Sequence, residues 1–81
     1  MKKQINGILE MLLDLPPNYI KPEHKMREDL TVDDLDMYEI QYYLDNDLNL
    51  VIKNDYPRAS DYETVQDLYD RLEEDNNIKL S

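Results

Sequence analysis

Three stretches of this chain repeat their apolar residues at the α-helical interval, and prolines stand between them. Ile5, Ile8, Leu9, Leu12 and Leu13 fall at i, i+3, i+4, i+7 and i+8, which sets all five on one face of a first helix. Pro16 and Pro17 stop that helix, because neither has an amide proton to donate. A loop of mixed polarity runs from about Asn18 to Val32 around Pro22, and its apolar members Tyr19, Ile20, Met26 and Leu30 are expected to fold back over the core. The second helix is predicted from near Asp33 to about Asp47. Thr31, Asp33 and Asp34 suit a helix start, where side-chain oxygens take free amides and carboxylates meet the positive end of the dipole. Met37, Ile40, Leu44 and Leu48 form its inner stripe, with Tyr43 beside it. Leu50, Val51 and Ile52 lead out as an extended connection, and Asn54 to Tyr62 reads as a loop or short helical turn broken by Pro57. The last helix is predicted from about Thr64 to Glu74: Thr64 and Asp67 have capping-box spacing, and Val65, Leu68, Tyr69 and Leu72 share a face. From about Asp75 onward the tail is polar and expected to fray.

With 81 residues the chain has room for one domain and one modest core, so residues 1–81 read as a single unit. The simplest packing is an all-α, up-and-down four-helix bundle of three main helices and one short one. A single glycine argues against a β-rich fold with many tight turns and against a phosphate-cradling loop. The absence of cysteine removes disulfides and thiolate metal sites and fits a reducing compartment. Charges interrupt every apolar run before it reaches the length of a membrane span, so the expectation is a cytoplasmic protein with no membrane partner.

Nineteen acidic residues against nine basic ones give a net charge of −10. That field repels nucleic acid and anionic membranes, attracts basic protein surfaces and favours a monomer. The charge is unevenly spread: from Glu28 to Ile52 there are eight acids and no base.

Glu28-Asp29-Leu30-Thr31-Val32-Asp33-Asp34-Leu35-Asp36 resembles the most recognisable segment of acyl carrier proteins, Glu-Asp-Leu-Gly, a small or apolar residue, then Asp-Ser-Leu-Asp. Glu39-Ile40 matches the acid-then-aliphatic pair of that family's recognition helix, and Tyr43 to Leu48 follows its aliphatic and acidic pattern. Thr64-Val65-Gln66-Asp67-Leu68 resembles the opening of its final helix. The resemblance runs from about Ile5 to Leu72, with a few extra residues around Tyr56 to Asp61. It implies an acyl-carrier-like bundle whose second helix docks on synthases or transferases. It also implies that Asp33, Asp36 and Glu39 take part in that docking, and Met37 is added as an apolar contact.

One departure outweighs these matches. The family's serine receives 4′-phosphopantetheine as a phosphodiester, and Asp34 stands at that position without a hydroxyl. Thr31 lies three residues upstream, where the family usually has glycine; the serines, Ser60 and Ser81, lie in a later loop and at the C-terminus. Asp34 admits three explanations: a carboxylate that stabilises a helix start, a fixed charge imitating the phosphodiester, or a substitution that blocks modification. Tyr43, where the family often has alanine, is bulky enough to occupy interior space that an acyl chain needs.

The remaining candidates carry little chemistry. Asp45, Asp47 and Asn49 open like a calcium-binding EF-hand loop, but Leu50 replaces its glycine and Tyr56 its bidentate glutamate, so no metal site is expected. His24 is alone, without a nucleophile or second histidine, and no catalytic set is expected. Seven tyrosines stand beside no phenylalanine and no tryptophan; Tyr38, Tyr42 and Tyr43 cannot all face inward, which leaves at least one of Tyr38 and Tyr42 for a contact patch. Three functions follow. The first is a non-enzymatic docking or regulatory module for a basic partner, with no cofactor. The second is a genuine carrier in fatty acid or polyketide synthesis, holding 4′-phosphopantetheine on another hydroxyl. The third is an acidic mimic of nucleic acid, which predicts charge along one elongated face.

Overall fold

The computed structural model describes residues 1–54 and 56–80. Its described residues form three α-helices, α1 (Lys2–Leu13), α2 (Asp34–Leu48) and α3 (Val65–Asn76), with one 3-10 turn at Ala59–Asp61 between the second and third. The fourth helix expected from the sequence is therefore a three-residue turn. Among the described residues the only strand-like pairing is an isolated antiparallel bridge between Lys25 and Thr64.

Each helix takes its bounds from local chemistry. At α2, Asp33 is the N-cap: its Oδ1 accepts from Asp36 N–H at 2.7 Å, and Asp36 Oδ2 accepts from Asp33 N–H at 3.1 Å. Thr64 and Asp67 form the same reciprocal box at α3. Without glycine at the C-termini, all three helices end on an Asp or Asn in the left-handed region: Asp14 (φ 56°), Asn49 (φ 56°) and Asn77 (φ 54°). Asn and Asp tolerate that conformation better than other non-glycine residues. At α2 the turn is closed further by Leu50 N–H donating to Leu44 C=O at 3.0 Å.

The helices bury the faces that their periodicity marks. Ile5, Ile8 and Leu9 of α1, Met37, Ile40 and Leu44 of α2, and Val65, Leu68, Tyr69 and Leu72 of α3 meet in one core, with Tyr43 and Leu48 packed partly against it. Burying each such side chain is worth roughly 1.5–3 kcal/mol. The Tyr69 hydroxyl donates to Asn6 Oδ1 and Lys2 Nζ lies 5.1 Å from the centre of its ring, so α3 is tied to α1 by polar contacts as well. Burial pushes the Tyr69 phenol above its ordinary pKa, with the Asn6 bond acting the other way.

The long loop is held by backbone bonds to the start of α3. Val65 N–H donates to His24 C=O and Gln66 N–H to Pro22 C=O, both at 2.9 Å, while Met26 N–H donates to Glu63 C=O at 2.9 Å. Two free amides of a helix start are thereby satisfied by the loop. Ile20, Met26 and Leu30 enter the core as expected, but Tyr19 stays exposed and stacks on His24 with ring centres 5.1 Å apart. Val32 and Leu50 are buried, as is Ile52, whereas Val51 faces out.

The segment after Asp75 differs from the expected frayed tail. Helix α3 continues to Asn76, and Leu80 is buried with its N–H donating to Glu73 Oε2 at 2.8 Å. The physical reason is a side-chain clasp on the 51–53 connection. Asn76 Oδ1 accepts from Val51 N–H at 2.8 Å and its Nδ2 donates to Val51 C=O at 2.8 Å, an amide pair that imitates a β-ladder. Asp75 Oδ2 accepts from Lys53 N–H at 2.8 Å and from Arg71 Nε at 2.7 Å.

Two predictions follow from these contacts. Thr31 sits at φ 54°, a left-handed position that glycine accepts freely and a β-branched residue does not. Thr31→Gly is expected to raise stability by about 1 kcal/mol, the order of strain released less the added chain entropy. In a thermal melt this is a rise of roughly 4–8 °C. For Asp75, burial opposes the charge, but the bonds from Lys53 N–H and Arg71 outweigh it and hold the carboxyl below its usual value. Its contribution is present above the unfolded value of about 4 and is lost as pH falls through the lower folded value. Urea titrations across the acid range should show Asp75→Asn less stable than the native chain at pH 7, with the gap closing on acidification.

Candidate functional site

The acidic start of α2 carries the residues that the sequence singled out, and the fold divides them sharply. Asp33 and Asp36 spend their carboxylates on each other's amides in the capping box. Met37 is 0% exposed and packs in the core, so it cannot meet a partner; the inner-stripe periodicity, not the contact assignment, describes it. Glu39 is exposed. Asp34 opens the helix, and its Oδ1 accepts from Ala59 N–H at 2.9 Å. That bond caps the 3-10 turn from outside and fastens it to the start of α2.

Asp34 also stands between two concavities. One, of about 440 Å³, is lined by Arg27, Val32, Asp33, Leu35, Ala59 and Ser60 as well as Asp34. Ser60 is thus distant from Asp34 in sequence but beside it in space, because the 3-10 turn folds back on the helix start. Ser81 lies outside the described residues. Thr31 is exposed, and its hydroxyl donates to Leu30 C=O at 2.7 Å. The second concavity, about 570 Å³, joins Asp34 and Leu35 to Tyr38, Tyr56, Pro57 and Arg58.

The outer face of α2 is more apolar than its acidity implies. Leu35, Tyr38 and Tyr42 are 67%, 63% and 59% exposed and recur at i, i+3 and i+7, and Tyr56 across the groove is 76% exposed. At 100° per residue they form one stripe, with Asp34 and Asp45 along one flank and Glu39 on the other. A third concavity, about 260 Å³, continues the groove past Tyr38 to Gln41, Tyr42, Asp45, Val51, Ile52 and Pro57. Gln41 Nε2 faces two carbonyls, Ile52 C=O at 3.3 Å and Asn54 C=O at 3.5 Å, which leaves its Oε1 buried without a donor. Sequence reasoning anticipated an exposed Tyr38 or Tyr42; it did not find Leu35, Tyr56 or the groove, whose far wall comes from the 51–58 segment.

His24 accepts from Lys21 N–H through Nδ1 at 3.0 Å and so has a structural role in the loop. Among the described residues no three His, Asp or Glu side chains are grouped to hold a metal ion, and no helix is long and apolar enough to cross a membrane. The molecule measures 28 × 25 × 21 Å.

These features define a small acidic helical domain whose second helix carries both a capped acidic start and an exposed outer face. No family model matches the chain. Over 68 residues, 84% of this chain and 85% of the relative, it is 31% identical to an acyl carrier protein of Treponema denticola. The chain belongs to the acyl carrier protein family.

The division of the carboxylates is testable through stability. Asp36→Ala should cost about 0.5–2 kcal/mol by opening the cap, and Asp34→Ala about 1 kcal/mol by freeing Ala59 N–H. Glu39→Ala should stay within about 0.5 kcal/mol of the native chain. Urea denaturation of the three variants at neutral pH reads the ranking directly.

Proposed function

We propose that this protein is an acyl-carrier-like module that does not take 4′-phosphopantetheine at the start of α2, is not an enzyme, and acts in the cytoplasm as a monomer by offering its second helix to a basic protein surface. The observation that carries the reading is Asp34. By resemblance it stands at the family's attachment position, and a carboxylate has no hydroxyl with which to form the phosphodiester. Its oxygen is, in addition, engaged by Ala59 N–H. The residues at this position therefore do not fit the prosthetic group, and no step is derived through it.

Docking by α2 is supported by the retained acidity of this helix and by the exposed Glu39 and Asp45 beside its outer face. A monomer is supported by the net charge of −10, which opposes self-association. Basic surfaces on a synthase or transferase have the complementary field.

A second reading keeps the chain among working carriers. It is favoured by Ser60, whose exposed residue lines the same concavity as Asp34 and Arg27. In that reading the Ser60 hydroxyl is the attachment point.

Intact mass after incubation with coenzyme A and a broad-specificity phosphopantetheinyl transferase separates the two. The expected result is an unchanged mass for the native chain beside a gain of one arm by Asp34→Ser. A gain by the native chain that Ser60→Ala abolishes would establish the second reading and end the first.

A further inference from the structure

We infer that Asn6–Gly7 is a site of spontaneous deamidation, guarded by the Tyr69 hydroxyl and opened when the first turns of α1 unwind. It lies on α1, apart from the second helix and its groove.

Gly7 is a glycine that the fold does not need. It sits inside α1 without a positive φ, and a methyl group on its Cα would meet no atom within 4 Å. Neither a turn nor a close approach therefore asks for glycine, and alanine there would favour the helix by about 1 kcal/mol. What glycine does allow is attack by its own amide nitrogen on the side chain before it, with no Cβ in the way. That side chain is Asn6, and the pair Asn-Gly occurs once in the sequence.

Two features of the fold hold the reaction back. The Gly7 amide belongs to the hydrogen-bond ladder of α1. Asn6 Oδ1 accepts from the Tyr69 hydroxyl, which holds the carboxamide against α3. Both restraints are lost when α1 opens from its N-terminus, and that end is weakly built. Its N-cap, Met1, makes no side-chain bond, its first turn carries no acid, and Lys2 and Lys3 stand at the positive end of the dipole.

Once α1 opens, the Gly7 nitrogen gives up its proton and bonds to Asn6 Cγ. The Cγ–Nδ2 bond breaks, ammonia leaves with that proton, and a cyclic imide remains. Water then cleaves either carbonyl–nitrogen bond of the imide, giving aspartate or, where the chain is rerouted through the side chain, isoaspartate. Each product adds one negative charge to the −10 of the chain. Isoaspartate also inserts a methylene into the backbone, which breaks the ladder of α1 and the register that turns Asn6 toward Tyr69. The modification thus unties α1 from α3.

The test is to incubate the full chain in mildly alkaline buffer beside a synthetic peptide of residues 1–14, which is too short to hold a stable helix alone. Intact mass, isoaspartyl methyltransferase labelling and peptide mapping follow the product. Deamidation should map to Asn6 and run slower in the chain than in the peptide. Tyr69→Phe, which removes the hydroxyl and keeps the ring, should speed it about three- to tenfold, the equivalent of one hydrogen bond. Gly7→Ala should slow it at least about fivefold through helix propensity alone. Asn76→Ala, which loosens the clasp on Val51 but keeps the Asn6–Tyr69 bond, should leave the rate unchanged. In urea, the native and Tyr69→Phe chains should react alike, because the guard belongs to the fold. Deamidation confined to other asparagines, or an Asn6 still intact when the peptide has fully converted, would overturn the site. Equal acceleration by Tyr69→Phe and Asn76→Ala would overturn the guard, since global unfolding would then govern the rate.

Discussion

The amides at the start of α3 have no partners within their own helix, and the long loop supplies them. His24 and Pro22 offer carbonyls to Val65 and Gln66, and Met26 donates to Glu63 in return. Met26 then accepts from Val32 N–H at 2.9 Å, so a single buried residue links the start of α3 to the approach to α2. Unmade buried backbone bonds are costly, of the order of 1–3 kcal/mol each. The loop therefore cannot shift without exposing Met26, Leu30 and Val32 and releasing Asp33 from its cap position. The acidic end of α2 is where it is because α3 holds the loop that delivers it.

The same constraint sorts the acids of α2 into two groups. Asp33 and Asp36 close a helix terminus and Asp34 fastens the 3-10 turn, so their charges are partly consumed by the fold. Glu39 and Asp45 remain exposed beside an aromatic stripe. Among the described residues the ion pair that forms is Arg71–Asp75, at the opposite end of the chain, where it clasps the 51–53 connection. Among the described residues the acids of the second helix form no ion pair, and its long-range field remains available to a basic surface.

Membership of the acyl carrier protein family places the departures in relief. Thr31 adopts the left-handed backbone, which glycine takes freely, at the position where the family pattern has glycine. Asp34 occupies the first turn of α2 with a carboxylate that now does structural work through Ala59. Tyr43 packs partly against the core, which is consistent with its taking interior space.

How much of this was readable beforehand depends on how local each interaction is. Helix faces, the Thr64–Asp67 box and the stops after Leu13 and Leu48 were legible, because periodicity, capping and backbone preference act within a few residues. Met37 reads from the sequence both as a core residue of the inner stripe and as a contact, and its burial follows the 3.6-residue period, since a side chain cannot face both ways. Ile78 and Leu80 held an apolar signal for an ordered tail that its polar neighbours outweighed. What the sequence by itself determined was an all-helical, strongly acidic chain with a helix-start motif lacking its hydroxyl. Only the tertiary structure decided that Ser60 lies beside Asp34, that the loop caps α3, and that Tyr56 and Pro57 complete a groove with Tyr38. Those juxtapositions join residues far apart in the chain through backbone carbonyls and packing, and neither leaves a periodicity or a motif to read.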